Sequence, residues 1–272
     1  MIVRILVGIV LGGIIIGSFF LPGWGAAIIY GCWAVLAIIE ERKALLTAGH
    51  RPVIWPIFAA MALAIPLYLF FGLKAILPLL AAAVVIMCGT VMFRNEPALT
   101  DVNMSVLPLW SVAVPGLMLM SVCAIPDDYV RRVYLFLIFA VSVLGDTFAL
   151  FIGKAFGKRR LCPAVSPKKT VAGFIGGFAG SVASAVLIAV ISYNICNEAE
   201  IALLPNWFEF AALGVIGSVV SQLGDLLASL VKRHCGIKDF SGAFPGHGGL
   251  LDRADSVIMM AVVVFCFLLF KM

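Results

Sequence analysis

The stretch Ser229–Ser256, SLVKRHCGIKDFSGAFPGHGGLLDRADS, joins two apolar runs at about 208–231 and 256–270. Lysine, arginine, histidine and aspartate crowd into it, and such polar density beside a bilayer is expensive unless it binds or reacts. Working outward, the rest of the chain is apolar: 63% of the 272 residues are hydrophobic and 12% charged, against about 25% charged in soluble domains. Membrane-crossing helices need roughly 17–25 apolar residues. Runs near that length recur at about 5–21, 25–39, 53–70, 74–93, 104–125, 132–152, 170–192, 208–231 and 256–270. They predict an all-α integral membrane protein of about nine transmembrane helices. The whole of 1–272 reads as one polytopic domain, with 1–130 mainly scaffold and 131–272 carrying the catalytic core helices and cytoplasmic loops.

Lysine and arginine placement sets orientation. With the N-terminus in the cytoplasm, fifteen of the nineteen basic residues fall inside, and only Lys74, Arg131, Arg132 and Lys271 outside. This predicts nine spans with the C-terminus outside, and a cationic inner face suited to anionic head groups or nucleotide phosphates. Nucleic acid is not an expected partner, because no soluble basic domain exists. The N-terminal MIVRILVGIVLGGIIIGSFFLPGWG lacks an A-x-A-like cleavage site and runs at once into a second span, so it reads as a retained helix. Seven cysteines without C-x-x-C spacing give no disulfide framework and no zinc site. Glu40 and Glu41, beside Arg42 and Lys43, read as a solvated helix end.

Three constellations carry chemistry. In the eighth run Ser218, Ser221, Asp225, Ser229 and Lys232 are spaced 3, 4, 4 and 3 apart, which places them on one helical stripe. An aspartate at mid-helix in a bilayer costs about 2.5–3.5 kcal/mol, and its presence points to function. Asp252 and Asp255, at i and i+3, share a face where the ninth run opens. Asp252 can serve there as a helix cap, or join Asp225 and Asp255 around a hard cation such as magnesium. Between them Pro245-Gly246-His247-Gly248-Gly249 is a tight turn whose backbone N–H groups suit an anion, with Lys232, Arg233, Lys238 and Arg253 around it. His247 is a candidate phosphate donor or orienting residue, set against the plain reading of a loop histidine. The third constellation pairs Asp146, four residues after Ser142, with Ser166-Pro167-Lys168-Lys169-Thr170. There Pro167 and Thr170 mark a helix start and the lysines could hold phosphates.

The pattern K-R-x4-K-D-x5-P-G-H-G-G-x2-D-R-x-D, with Ser229, Gly224-Asp225, Asp146 and S-P-K-K-T at 166–170, resembles the signature of the bacterial phosphatidate cytidylyltransferase (CDP-diacylglycerol synthase) family. The likeness covers about residues 142–258. It implies that CTP and phosphatidate are the substrates, in phospholipid biosynthesis at the bacterial inner membrane, and that the active site faces the cytoplasm. It further implies a magnesium ion held by Asp225 and Asp252 with Asp255 in support, and leaves room for a second cation. The same resemblance makes Asp225, Asp252, Asp255, Lys232, Arg233 and His247 catalytic. Asp146, Ser166, Lys168, Lys169, Thr170, Ser229, Lys238, Asp239, Gly246, Gly248, Gly249 and Arg253 become substrate-binding. A homodimer is consistent with the family, although no interface motif stands in the sequence. The chain departs from relatives at Val171-Ala172-Gly173, where Trp-Glu-Gly is common, at Ala228, where Glu is common, and at Gly145 and Leu150, where Ser and Tyr are frequent. A CTP-dependent lipid kinase of related fold is the alternative reading. An ion-coupled transporter is a further one, and would call for polar residues in both membrane halves and for symmetric repeats.

Overall fold

The computed structural model describes residues 2–196, 204–244 and 248–271. The chain is helical almost throughout: α1 (Ile2–Phe19), α2 (Gly23–Thr47), α3 (Trp55–Phe71), α4 (Ile76–Met92), α5 (Leu99–Pro108), α6 (Val114–Cys123), α7 (Asp128–Phe156), α8 (Val171–Ile195), α9 (Trp207–His234) and α10 (Leu251–Lys271). A π-helical turn, Leu109–Ala113, joins α5 to α6, so these two form one broken rod. It lies between Pro108 and Pro115, neither of which can donate to the i→i−4 ladder. Every apolar run expected from the sequence is a helix. Among the described residues, six are long and apolar enough to cross a membrane: α2, the α5–α6 rod, α7, α8, α9 and α10. The apolar parts of α1, α3 and α4 are shorter, at 10–17 residues.

Local chemistry sets several boundaries. Asp127 caps α7 by accepting from the Val130 N–H at 2.9 Å. Asn206 and Glu209 form a reciprocal capping box at the start of α9, which satisfies two orphan N–H groups. Two boundaries differ from expectation. Residues 99–103, ahead of the apolar run expected at about 104–125, already belong to α5, because Asp101 in its first turn is tied to the Arg51 N–H at 2.9 Å and to Arg94 at 3.2 Å. Ser166–Thr170 is a strand, β2, paired antiparallel with β1 (Arg160–Cys162), rather than the first turn of a helix. Only Thr170 keeps the expected role, accepting from the Gly173 N–H as the cap of α8.

The glycine-rich face of α8 lies directly on α7. A Cβ at Gly176 would sit 2.6 Å from Ile152 Cβ, and one at Gly180 equally close to Phe148. Small residues let membrane helices approach and gain dispersion contacts where no hydrophobic drive exists. One apolar core surrounds α7 through Tyr134, Leu135, Leu137 and Ile138; a second joins α2, the π-helical turn, α9 and α10 through Ile38, Leu45, Leu109, Val231 and Ile258. Large apolar side chains also cover the outside, among them Phe70, Phe93, Phe208 and Phe270, which suits lipid contact.

Candidate active site

The polar stripe on α9 starts in the protein interior and ends at a charged mouth. Ser218 and Ser221 are buried against the neighbouring helices. Ser142 Oγ on α7 lies 3.3 Å from Ser221 Oγ and 3.3 Å from the Ser256 carbonyl on α10. One turn further on, Asp225 reaches the edge of the hairpin, where Lys169 Nζ stands 2.5 Å from its Oδ2. Both side chains are about one quarter exposed.

Asp146 and Asp255 complete this group. The Ser256 hydroxyl donates to Asp146 Oδ2 at 3.0 Å, and the Ser256 N–H to Asp255 Oδ1 at 2.8 Å, so one serine spans two carboxylates. Asp146, Asp225 and Asp255 lie within electrostatic reach of one another, with Lys169, Arg253 and Lys232 as compensating cations. Three carboxylates from α7, α9 and α10 thus share one end of the bundle.

Asp252 has partners of its own. Its Oδ1 meets Lys232 Nζ at 2.5 Å, and its Oδ2 accepts from the Phe240 and Gly249 N–H groups, each at 2.9 Å. It therefore acts as a fastener of the loop before α10, and the Gly249 N–H is committed to it. Lys232 also lies 5.3 Å from the centre of the Phe240 ring. Gly248 has φ of 81°, the left-handed region, and a Cβ there would come within 2.9 Å of Asp252 Oδ2; both features call for glycine. Arg233 Nε donates to the Val165 carbonyl at 3.3 Å and ties α9 to the hairpin. Lys168, Lys238, Asp239 and Arg253 are exposed around the mouth, and Ser166 and Ser229 are half-buried. Gly246 and His247 lie outside the described residues.

Two residues that the sequence reading set aside belong here. Glu40 and Glu41 are 7% and 1% exposed, not a solvated helix end. Glu40 accepts from Ser241 Oγ at 2.6 Å and from the Leu250 and Leu251 N–H groups at 3.0 and 2.9 Å. Glu41 Oε2 lies 2.8 Å from Ser111 Oγ in the π-helical turn, and shares a small cavity with Asp255, Ala228 and Gly224. Burial follows because α2 packs against both the start of α10 and the π-helical turn. The one signal in the sequence is an acidic pair placed directly at the end of an apolar run.

Among the described residues, no three His, Cys, Asp or Glu side chains gather into a ready-made metal cage. The donor chemistry nevertheless suits a hard divalent ion, since Asp146 and Asp255 share Ser256 and Lys169 sits against a third carboxylate, Asp225. Mg2+ is bound by one or two carboxylates together with substrate phosphates and waters.

Apolar helices long enough to cross a membrane, with carboxylates, lysines and arginines gathered at one end of the bundle, mark a multi-pass membrane protein with a polar site. The comparisons with known proteins specify which kind. The model of the cytidylyltransferase family matches residues 2–271, and the chain belongs to that family. Among its relatives are the phosphatidate cytidylyltransferases of Staphylococcus haemolyticus, 34% identical over 183 residues, and of Bacillus subtilis, 38% identical over 146 residues. The first alignment covers 67% of this chain and 65% of the relative, the second 53% and 51%. The match thus spans less than two thirds of the length of these relatives.

Proposed function

We propose that the chain transfers the cytidylyl group of CTP to phosphatidate, forming CDP-diacylglycerol and pyrophosphate at the cytoplasmic face of a bacterial inner membrane. The observation that carries this reading is the convergence of Asp146, Asp225 and Asp255 with Lys169 and Lys232 in a member of the cytidylyltransferase family. A phosphate oxygen of phosphatidate attacks the α-phosphorus of CTP. The bond from that phosphorus to the oxygen bridging it to the β-phosphorus breaks, and pyrophosphate leaves with the electron pair. Such transfers need charge neutralisation and alignment more than covalent protein chemistry. Lys168, Lys169, Lys232, Arg233, Lys238 and Arg253 neutralise the phosphates. Asp225 and Asp255, with Asp252 beside them, would hold magnesium and any second cation; the ion supplies further charge neutralisation of the triphosphate. Lys169, paired with Asp225, is placed to turn toward the nucleotide phosphates. The same reading includes nine spans with the N-terminus inside, a single domain, and a homodimer by family resemblance alone.

The test uses purified protein in detergent with phosphatidate, magnesium and CTP labelled at the α- or γ-phosphate. The expected result is α-label in the lipid and release of pyrophosphate, with at least about a hundredfold loss in Asp225→Asn, the scale of removing one electrostatic stabiliser. Label from the γ-position in the lipid would replace this reading with that of a lipid kinase.

A further inference from the structure

We propose that Glu40 is a positioning residue for the segment that carries the signature: delivered from α2, its carboxylate ties the limb at Ser241 to the limb at Leu250 and Leu251, so that these two limbs meet substrate already held together. Its effect on turnover rests on the cytidylyltransferase reading; its effect on the loop does not.

Oε1 of Glu40 accepts from Ser241 Oγ, where the loop leaves α9, and from the Leu250 N–H, where it returns. Oε2 accepts from the Leu251 N–H. Leu250 and Leu251 open α10, and their N–H groups are orphan donors that any helix start must satisfy. A carboxylate there also meets the positive end of the helix dipole. Residues near the start of a helix usually provide this cap; here it comes from more than two hundred residues earlier in the chain.

A second carboxylate does the parallel task. Asp252 accepts from the Phe240 N–H at the entry and the Gly249 N–H at the exit. Each carboxylate therefore grips both limbs of the loop, one from inside the loop's own helix and one from the scaffold. Gly249 shows how tightly the limbs are drawn together. A Cβ there would lie 2.6 Å from Glu40 Oε2 and 3.0 Å from the Ser241 nitrogen, so the grip needs a residue without a side chain. Three donors converge on Glu40, and only a carboxylate presents two acceptor oxygens to them. Glutamine would keep one oxygen and turn an NH2 group against an N–H.

The experiment compares the full-length parent, Glu40→Ala and Glu40→Gln in detergent. It reads backbone hydrogen exchange over residues 240–252 and steady-state kinetics with varied CTP. Glu40→Ala is expected to speed exchange at Leu250 and Leu251 by about tenfold or more, because these amides lose their acceptor. It should also raise KM for CTP about tenfold with a smaller fall in kcat, since the loop must then be ordered by substrate. Glu40→Gln is expected in between. Gly249→Ala, which presses a methyl group onto the same carboxylate from the loop side, should reproduce both changes even if Glu40→Ala does not fold. Unchanged exchange at Leu250 and Leu251 in the folded variants overturns the proposal. So does faster exchange with KM and kcat both intact, which would leave Glu40 a purely structural cap. A parent that exchanges as expected but transfers no label from CTP refutes the cytidylyltransferase reading and leaves the grip on the loop standing.

Discussion

At the scale of single residues, the two lysine–aspartate pairs look alike in sequence and differ in setting. Lys232 and Asp252 are 12% and 4% exposed, whereas Lys169 and Asp225 are about one quarter exposed. Removing one partner of a buried pair leaves an uncompensated charge and costs about 3–5 kcal/mol, while a partly solvated pair contributes about 1 kcal/mol or less. Lys232→Met should therefore lower the thermal unfolding temperature in detergent markedly. Lys169→Met should leave unfolding nearly unchanged and remove most activity, a contrast that paired melting curves and label-transfer assays will read. The aspartates themselves were legible, since a carboxylate inside an apolar run is conspicuous. Glu40 and Glu41 were not. A pair of glutamates followed by Arg42 and Lys43 has the same local pattern as a helix end in water, and their donors at Ser111, Ser241, Leu250 and Leu251 lie far along the chain.

At the scale of elements, α7, α8 and the hairpin act together. The bare face of α8 brings Thr170, and with it β2, against Gly153 and Gly157 of the α7 end, which in turn places Lys169 beside Asp225. Enlarging Gly176 should force α8 away from Ile152. Overpacking of this kind costs about 1–3 kcal/mol, so Gly176→Val is expected to lower the unfolding temperature, and to lose activity beyond what the unfolded fraction explains as Lys169 is displaced. Melting curves with activity per folded molecule decide it; an unmoved kcat/KM in the folded fraction would show that hairpin placement does not depend on this contact. The hairpin was hidden from sequence reasoning because its strands have only three and five residues with an irregular register between them. Thr170 is also a true helix cap, and so S-P-K-K-T carried a correct start signal attached to the wrong preceding structure.

At the scale of the whole molecule, the positions of the apolar helices were read correctly while the crossings are a separate matter. Helix placement follows from hydrophobicity, which composition displays directly; whether α1, α3 and α4 each traverse the bilayer depends on tilt and local thickness, which it does not. The bias of lysine and arginine to one side supplies a definite expectation. In a chain freed of its native cysteines, a cysteine placed at Lys43, Lys158 or Lys238 should react with an impermeant reagent only from the cytoplasmic side. One placed at Lys74 or Arg132 should react only from the outside. Labelling of position 74 from the cytoplasm would remove the pair of crossings made by α3 and α4.

The bond between Glu40 and the start of α10 also sets a timetable. Glu40 and Glu41 enter the membrane with the second helix, while Leu250 and Leu251 leave the ribosome more than two hundred residues later. Until then the Glu40 carboxylate waits without the Leu250 and Leu251 N–H groups, whereas Glu41 meets Ser111 much sooner. It is therefore α10, made long after α2, that closes the first half. Chains halted before α10 should lack this closing contact, and the step that supplies it is also the step that brings Asp255 to the site.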